Sequence, residues 1–227
     1  DNVLLELDGP AMEKDVTRWW QMSYKLKKSL ERASPGAASI AAQLREEVTE
    51  FRENLPIVTS LASKALRDRH WIALSDGLAE ASVKQGGERM ELTPDEDLTL
   101  LQLTEMNITD HWEFIESICM RAEKEFRLEQ GLEAMKMEWD EIMFELMAYR
   151  NTGSYVLKGT DDIATLLDDQ IVKAQTMLGS SYIKPIIGVC KKWEARLQYI
   201  QELLEEWLGC QRTWMYLEPI FGSEDIM

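Results

Sequence analysis

The chain has 227 residues, of which 45% are hydrophobic, so it can bury a sizeable core. Asp and Glu number 41 against 25 Lys and Arg, and the net charge of −16 argues against non-specific nucleic-acid binding, which depends on basic side chains neutralising phosphates. No run of about 18 apolar residues occurs, so we expect no membrane-spanning segment.

The sequence begins at Asp1-Asn2-Val3, without an initiator Met or a signal sequence, and we therefore expect a piece of a longer chain. Its cysteines, Cys119, Cys190 and Cys210, are odd in number and far apart. Unpaired thiols in a reducing compartment such as the cytoplasm are the simplest interpretation. Glycine and proline are scarce, at 12 and 6 residues, and most of the sequence has a helical period.

Two amphipathic helices are predicted near the start of the chain, over residues 12–31 and 37–54, with Ser34-Pro35-Gly36 as a break between them. The second is expected to end before Pro56, because the residue preceding a proline avoids the helical region. The apolar positions expected to face the core are Val16, Trp19, Met22, Leu26 and Leu30, then Ile40, Leu44, Val48, Phe51 and Leu55. The opposite face of the second helix is expected to be solvated and carries Arg45, Glu46, Glu50 and Arg52.

Shorter helices are predicted over residues 57–66 and 67–76, with Gly77 as a C-cap. Gln85-Gly86-Gly87 predicts a turn, and Thr93-Pro94-Asp95-Glu96 combines the signals of a helix start. A long helix is predicted over residues 109–139. Polar members weaken its stripe, which consists of Ile115, Ile118, Ala122, Phe126, Glu129, Leu132, Lys136 and Trp139.

One stretch favours β-structure. Residues 142–149 and 154–158 flank Arg150-Asn151-Thr152-Gly153, and turn residues between two β-capable runs predict a hairpin. The first run could equally extend the preceding helix.

Two further helices complete the prediction. Thr160-Asp161 is expected to cap one that ends at Gly179, with Ile163, Leu166, Leu167, Ile171, Ala174 and Met177 facing inward. The last is predicted over residues 181–217, about 55 Å long at 1.5 Å per residue. Its a/d-type stripe comprises Ile186, Cys190, Trp193, Leu197, Ile200, Leu204, Trp207, Gln211 and Trp214. The predicted fold class is mainly α, an elongated bundle of long antiparallel helices with one small β-hairpin.

Signatures of catalysis and of ligand binding are missing from the sequence. No phosphate loop or GxGxxG motif occurs, and the two histidines, His70 and His111, lie in no metal-binding motif. Asp95-Glu96-Asp97 resembles the start of a calcium loop but lacks the turn glycine. The pairs Asp161-Asp162 and Asp168-Asp169 are typical of a helix start and a solvated face. We predict no catalytic, cofactor-binding or metal-binding residues in this chain.

Eight tryptophans occur, at positions 19, 20, 71, 112, 139, 193, 207 and 214. Stacking on nucleotide bases is conceivable for such residues. Core packing is the better interpretation, because several lie on apolar stripes.

Several local patterns follow one another in a recognisable order. They are Asn54-Leu55-Pro56-Ile57-Val58, Leu66-Arg67-Asp68-Arg69-His70-Trp71, Ala122-Glu123-Lys124-Glu125 with Glu129, Trp139 and the hairpin, Leu167-Asp168-Asp169, Met177 with Ser180-Ser181, Trp193-Glu194, Trp207-Leu208, and Gln211 to Phe221. This series resembles the linker of dynein heavy chains, which precedes the AAA+ motor ring. It covers most of residues 1–227 and little of residues 1–30. The ending Tyr216-Leu217-Glu218-Pro219-Ile220-Phe221 is more similar to axonemal than to cytoplasmic members.

The resemblance implies the N-terminal and middle part of an elongated helical arm that arches across the ring of the same heavy chain. ATP-driven changes in the arm's bend would then supply a power stroke along microtubules in the axoneme of a cilium or flagellum. ATP and Mg would bind the parent chain outside this piece, and no catalysis is expected here. Neither a nucleic acid nor a membrane is an expected partner.

The alternatives are a static helical scaffold that binds partner helices, or a nucleotide-dependent enzyme, which the missing phosphate loop disfavours. We expect the hairpin, residues 144–158, to contact a neighbouring surface of the ring or else to cover a helical layer. Arg69-His70-Trp71 is expected to pack into the core. Gly86-Gly87 and Gly179-Ser180-Ser181 are hinge candidates or ordinary loops. Acidic charge disfavours direct microtubule binding by this piece, because tubulin is also acidic.

Overall fold

The computed structural model describes residues 7–32, 34–84, 92 and 108–221. In this part of the chain, the helices are α1 (Gly9–Leu30), α2 (Pro35–Leu61), α3 (Asp68–Lys84), α4 (Trp112–Asp140), α5 (Asp161–Leu178) and α6 (Ile187–Phe221), and the strands are β1 (Glu145–Tyr149) and β2 (Ser154–Lys158). Short 3-10 turns precede α4 and α6. The prediction of a mainly α fold with one small β-hairpin is confirmed.

The chain forms two compact units, residues 1–124 and 125–227. Three predictions fall outside the described residues: the turn at Gln85-Gly86-Gly87, the hinge candidate within it, and the helix start at Thr93-Pro94-Asp95-Glu96. The expected elongated shape stays a prediction.

In the first unit, α1 and α2 form an antiparallel helical hairpin. Gly9 lies against Thr59 at one end of the pair, and Trp20 donates its indole N–H to the Thr49 hydroxyl at 3.2 Å further along. The Arg45 guanidinium lies 5.0 Å from the Trp20 ring centre and 4.6 Å from that of Tyr24. As the residue number in α1 increases, the residue number of its contact partner in α2 decreases, which shows that the two helices are antiparallel.

The predicted inward face of this hairpin is confirmed at Val16 and Leu55, which are 1% and 4% exposed, and is wrong at five other positions. Trp19, Met22 and Leu26 are 50%, 55% and 41% exposed, and Ile40 and Leu44 are 67% and 46% exposed. Besides Val16, the two helices meet through positions that neighbour the predicted ones, which include Trp20, Ser23, Ala38, Ala41 and Arg45. Small residues let the helices approach, and arginine stacked on aromatic rings adds cation–π attraction of about 0.5–1 kcal/mol per contact. Hydrophobic periodicity could not anticipate an interface built from these residue types.

Helix α2 continues past Pro56 to Leu61, although we predicted an end at residue 54 and a separate helix over residues 57–66. A proline inside a helix costs about 3 kcal/mol. Burial of the helical turn after Pro56 offsets this cost, because Ile57, Val58 and Leu61 are at most 4% exposed.

Helix α3 also differs from its prediction, since it runs to Lys84 and contains Gly77 rather than ending there. His70 and Trp71 in its first turn are buried, as predicted for the core, whereas Arg69 is exposed. The His70 Nδ1 accepts a hydrogen bond of 3.1 Å from the Arg67 backbone N–H. This bond ties the imidazole to the start of α3.

Gly77 allows an aromatic ring to approach the backbone of α3. A Cβ atom built at this position would overlap the ring of Phe114. By contrast, a Cβ atom at Gly131 in α4 would meet nothing within 4 Å.

The second unit has a core shared by α4, α5 and α6. Its buried residues are Leu132, Met135, Ile163, Leu167, Ile171, Ala174, Ile183, Cys190, Trp193, Leu197 and Leu204. The predicted inward face of α5 is therefore confirmed at four positions, with Leu166 and Met177 half-buried.

Helices α5 and α6 are antiparallel. Gln201 donates to the Asp168 carboxylate at 2.6 Å, and the Cys190 thiol lies 3.7 Å from the Ala174 carbonyl oxygen. The buried Gln170 joins α5 to α4, since its amide N–H₂ donates to the Met135 carbonyl at 3.2 Å and to Glu138 at 3.1 Å.

Helix α6 has 35 residues, about 52 Å of helix. It begins at Ile187, after a 3-10 turn, rather than at residue 181. Up to Leu204 its predicted stripe is buried, except at Ile186 and Ile200, which are half-buried, but Trp207 is 55% exposed. The prediction that Trp207 lies in the core is wrong, because the apolar stripe of α6 extends beyond the part of the helix that α4 and α5 cover.

No helix among the described residues is long and apolar enough to cross a membrane. No metal-binding group of three or more His, Cys, Asp or Glu residues lies in that part of the chain either. All three cysteines are free thiols, as predicted.

We expect Gly77→Ala to lower the free energy of unfolding by about 1–3 kcal/mol, because the added methyl displaces the Phe114 ring. Gly131→Ala should raise it by up to about 1 kcal/mol, because its site is open and alanine favours helix. Urea denaturation followed by circular dichroism measures both. Equal effects of the two substitutions would contradict the close contact at Gly77.

The thiols should differ in reactivity. Burial, and then the Glu123 carboxylate, raise the pKa of Cys119 to about 12 from 9.0, and burial and Glu194 raise that of Cys190. Only the exposed Cys210 should react rapidly with a maleimide at pH 7.5.

The same shift gives a pH dependence. The contribution of Cys119 to the free energy of unfolding is fully present below pH 9. It should be lost as the pH rises toward 12, because in this range the thiol ionises only in the unfolded chain. Cys119→Ala should therefore lose less stability than the parent chain between these pH values in urea denaturation. An identical loss in both would contradict the shift.

Candidate interaction site at the β-hairpin

The β-hairpin forms where the sequence predicts it. Its antiparallel register pairs Glu145 with Lys158 and Tyr149 with Ser154, and the loop is the predicted Arg150-Asn151-Thr152-Gly153. Gly153 has φ +73° and Arg150 has φ +49°, so the tight turn uses the left-handed region at two positions. Strand β1 is shorter than predicted and begins at Glu145.

A threonine holds the loop together. The Thr152 hydroxyl donates to the Tyr149 carbonyl at 2.7 Å and accepts from the Ser154 backbone N–H at 3.2 Å. These two bonds close the turn from inside, as threonine side chains do in tight turns.

The free edge of β2 is bound by one side chain of α6. The Gln211 side-chain carbonyl accepts from the Leu157 N–H at 2.7 Å, and its amide group donates to the Leu157 carbonyl at 3.1 Å. An exposed strand edge would otherwise invite pairing with another chain. Gln211 therefore both docks the hairpin and closes one edge position.

The loop end of the hairpin also contacts α6. The Tyr149 ring packs edge-on against Trp214, with ring centres 5.2 Å apart. Arg150 lies 4.9 Å from the Tyr149 ring centre and forms an ion pair with Glu218 at 3.3 Å. The Arg150 side chain is 59% exposed, so this ion pair contributes little and the aromatic contact dominates.

An apolar groove of about 390 Å³ opens between β2 and α6. It is lined by Tyr155, Val156, Trp207, Cys210, Gln211 and Trp214. Tyr155 is 68% exposed at its rim, and Leu146 is exposed on the neighbouring strand. Aromatic and aliphatic groups around an open groove suit non-covalent contact with another protein surface.

None of the other sequence candidates is among the residues that line this groove. Asp161 and Asp162 occupy the first turn of α5, as expected for a helix start. His70 is buried in the first unit, and Thr160 precedes α5 without a side-chain capping bond.

Sequence reasoning missed the role of Gln211, which we placed in an apolar stripe. A glutamine at an a/d-type position between Trp207 and Trp214 is a signal that its amide has a specific partner, because burying it otherwise costs free energy. The partner itself, a backbone 54 residues away, has no sequence signature.

We expect Gln211→Ala to destabilise the docked hairpin by about 1–3 kcal/mol, because both polar groups of Leu157 lose their partner. Hydrogen exchange at the Leu157 amide should accelerate, while exchange in the α5 core should not change. Gln198→Ala, on an exposed part of α6, is the matched control. Unchanged protection of Leu157 would contradict the docking role.

Residues 1–227 match the family model described as "Dynein heavy chain, N-terminal region 2". The chain is 37% identical over 223 residues to mouse dynein axonemal heavy chain 1, and 36% over 224 residues to human dynein axonemal heavy chain 3. It is 39% identical over 235 aligned positions to rat dynein axonemal heavy chain 12. These alignments cover 98%, 99% and 100% of this chain but only 5%, 5% and 7% of the relatives' own lengths. The chain therefore belongs to the dynein heavy chain family and represents its N-terminal region 2.

Proposed function

We propose that this chain is part of the mechanical linker of an axonemal dynein heavy chain, a component of a microtubule motor in the axoneme. The observation that carries the proposal is the family match over residues 1–227 together with axonemal relatives that cover nearly all of the chain. The linker acts as a lever, and ATP-driven changes in an AAA+ ring of the same heavy chain alter its bend.

The packing of the second unit supports a load-bearing role. Helix α6 is one uninterrupted helix, and its buried face contacts α5 from Cys190 through Leu204. A force applied along such a pair meets resistance from backbone hydrogen bonds and from close-packed side chains. Independent loops of the same length would yield to that force.

The hairpin groove supports a contact with a neighbouring surface, which we assign to the ring of the same heavy chain. Tyr155 and Trp207 line it and are 68% and 55% exposed, while Gln211 fixes the strand that carries Tyr155. The chain itself is a passive element in this proposal, and ATP with Mg binds elsewhere in the parent chain.

A static helical scaffold is the second candidate function. The same exposed apolar groove favours it, because a partner helix could bind there without any motion of the chain. The lever and the scaffold predict different gliding velocities for a motor in which α6 bends more easily.

We expect a heavy chain carrying Glu202→Gly and Leu203→Gly in α6 to keep its basal ATPase rate but to move microtubules more slowly. Both side chains are exposed, and each glycine costs about 1 kcal/mol of helix stability, so the helix bends more easily while the core stays intact. Microtubule gliding velocity and ATPase rate are the measurements.

Alanine at the same two positions is the matched control, since it removes the same side chains and preserves the helix. Normal gliding by the glycine variant would contradict the lever. Deletion of residues 151–154 tests the hairpin in the same motor, and unchanged ATPase and gliding would contradict its contact with the ring.

A further inference from the structure

Among the described residues, strand β1 has one free edge. Its five residues pair with β2 on one side only, and no described residue outside the hairpin forms a hydrogen bond with the backbone of Leu146 or Ala148. The first four residues of β1 are all exposed. An unpaired strand edge presents a row of backbone donors and acceptors, which can pair with a further strand.

The hydrogen bonds of the hairpin show which backbone groups of β1 point outward. Both backbone polar groups of Leu157 bind Gln211 of α6, so Leu157 and its register partner Leu146 form a non-hydrogen-bonded pair. The N–H and C=O of Leu146 therefore point away from β2, and so do those of Ala148 two residues later. Met147, which lies between them, uses its N–H and C=O within the hairpin.

This edge lacks the features that usually keep an edge strand unpaired. Strand β1 contains neither lysine nor proline, and its five consecutive pairs with β2 leave no bulge. Gln211 closes an edge position of β2, whereas no described side chain does so on β1. Leu146 is 61% exposed, and Phe144, which lies on the same face just before the strand, is 45% exposed. A free edge with apolar side chains beside it suits the addition of a strand.

We propose that an extended segment of the ring of the same heavy chain adds to β1 as an antiparallel third strand, with a lysine or arginine opposite Glu145. This inference rests on the ring contact in the proposed function and deepens it, because it names the bonds that form the contact. The segment exchanges hydrogen bonds with Leu146 and again with Ala148. Its apolar side chains extend the exposed face that these two residues share with Tyr155, the register partner of Ala148.

The modest strength of this edge favours a covalently attached partner. Leu146 and Ala148 offer only four backbone hydrogen bonds, which do not offset the freedom that a separate short strand loses on binding. A segment of the same chain is held nearby at an effective concentration of the order of millimolar, so a weak edge is sufficient. Most of the heavy chain is available to supply such a segment, since the alignments cover only 5% and 7% of two relatives' lengths.

Charge selects a basic residue at one end of the added strand. Asp140 and Glu141 precede β1 and Glu145 begins it, and all three are exposed. The paired edge already uses this complementarity, because Lys158 of β2 is the register partner of Glu145. Opposite charges on neighbouring strands stabilise their pairing, and like charges oppose it. In an antiparallel strand the basic residue lies near the C-terminal end, as Lys158 does in β2.

Hydrogen exchange in the intact heavy chain and in the 227-residue chain tests the proposal. We expect the Leu146 and Ala148 amides to exchange at least about tenfold more slowly in the heavy chain, either with or without an ATP analogue. The Met147 amide should change little, because it is already bonded within the hairpin. Mass spectrometry with electron-transfer fragmentation resolves the three amides. Equal exchange of Leu146 and Ala148 in both chains under both conditions would overturn the proposal, as would equal slowing of all three amides.

Ala148→Pro removes one outward N–H of the free edge. Proline at this position leaves the bonds between β1 and β2 intact, and the Leu157 amide reports whether the hairpin stays docked. In the heavy chain, this variant should return the Leu146 amide to its exchange rate in the 227-residue chain. The matched control, Ala148→Val, keeps the N–H and should retain the protection.

The outcomes separate this inference from the proposed function. Protection of Leu146 that persists in Ala148→Pro would overturn strand addition. Unchanged gliding by Ala148→Pro, together with slower gliding after deletion of residues 151–154, would also overturn strand addition but would leave the ring contact intact.

A charge reversal tests the basic residue without altering any backbone group. Glu145→Lys combined with Lys158→Glu preserves opposite charges within the hairpin but presents a cation to the added strand. We expect the Leu146 amide of the heavy chain to exchange at least about threefold faster in this double variant. The measurement decides the question even where Ala148→Pro loosens the hairpin. Unchanged exchange would overturn the assignment of a lysine or arginine opposite Glu145.

Discussion

The apolar contact between α5 and α6 is the interaction on which the second unit depends. Leu167, Ala174, Cys190 and Leu197 are completely buried along it, and each large aliphatic side chain contributes about 1.5–3 kcal/mol of transfer free energy. Because the contact is continuous over several turns, α6 is supported on one face for about half of its length. The hairpin and its groove can exist only because the remaining part of α6 extends beyond that support.

Polar side chains then position what the apolar contact leaves free. Gln211 satisfies both backbone groups of Leu157, and Gln170 satisfies the α4 carbonyl of Met135. Each bond is individually modest, but a buried amide without a partner would cost more than the bond gains. These two glutamines therefore favour one arrangement of hairpin and helices over nearby alternatives, and the proposed ring contact depends on that single arrangement.

The first unit uses a different solution for helix pairing. Trp20 is stacked by Arg45 and Arg52, each 5.0 Å from its ring centre, and bonded to Thr49. Because arginine keeps its charge near water while its plane covers an aromatic ring, the contact does not consume the large aliphatic residues of either helix. Those residues, among them Met22, Leu26, Ile40 and Leu44, stay exposed.

The sequence by itself determined the mainly α fold, the hairpin with its four-residue loop, the inward face of α5, the free thiols and the family. These features depend on local patterns: helical periodicity, a glycine with positive φ, and a series of short motifs. Only the tertiary structure decided which face of α1 and α2 pairs, that α2 continues through Pro56, that Gly77 receives Phe114, and that Gln211 binds Leu157. Each of these results from contact between residues far apart in the chain, where burial, a ring against a backbone, or a satisfied amide outweighs the local preference.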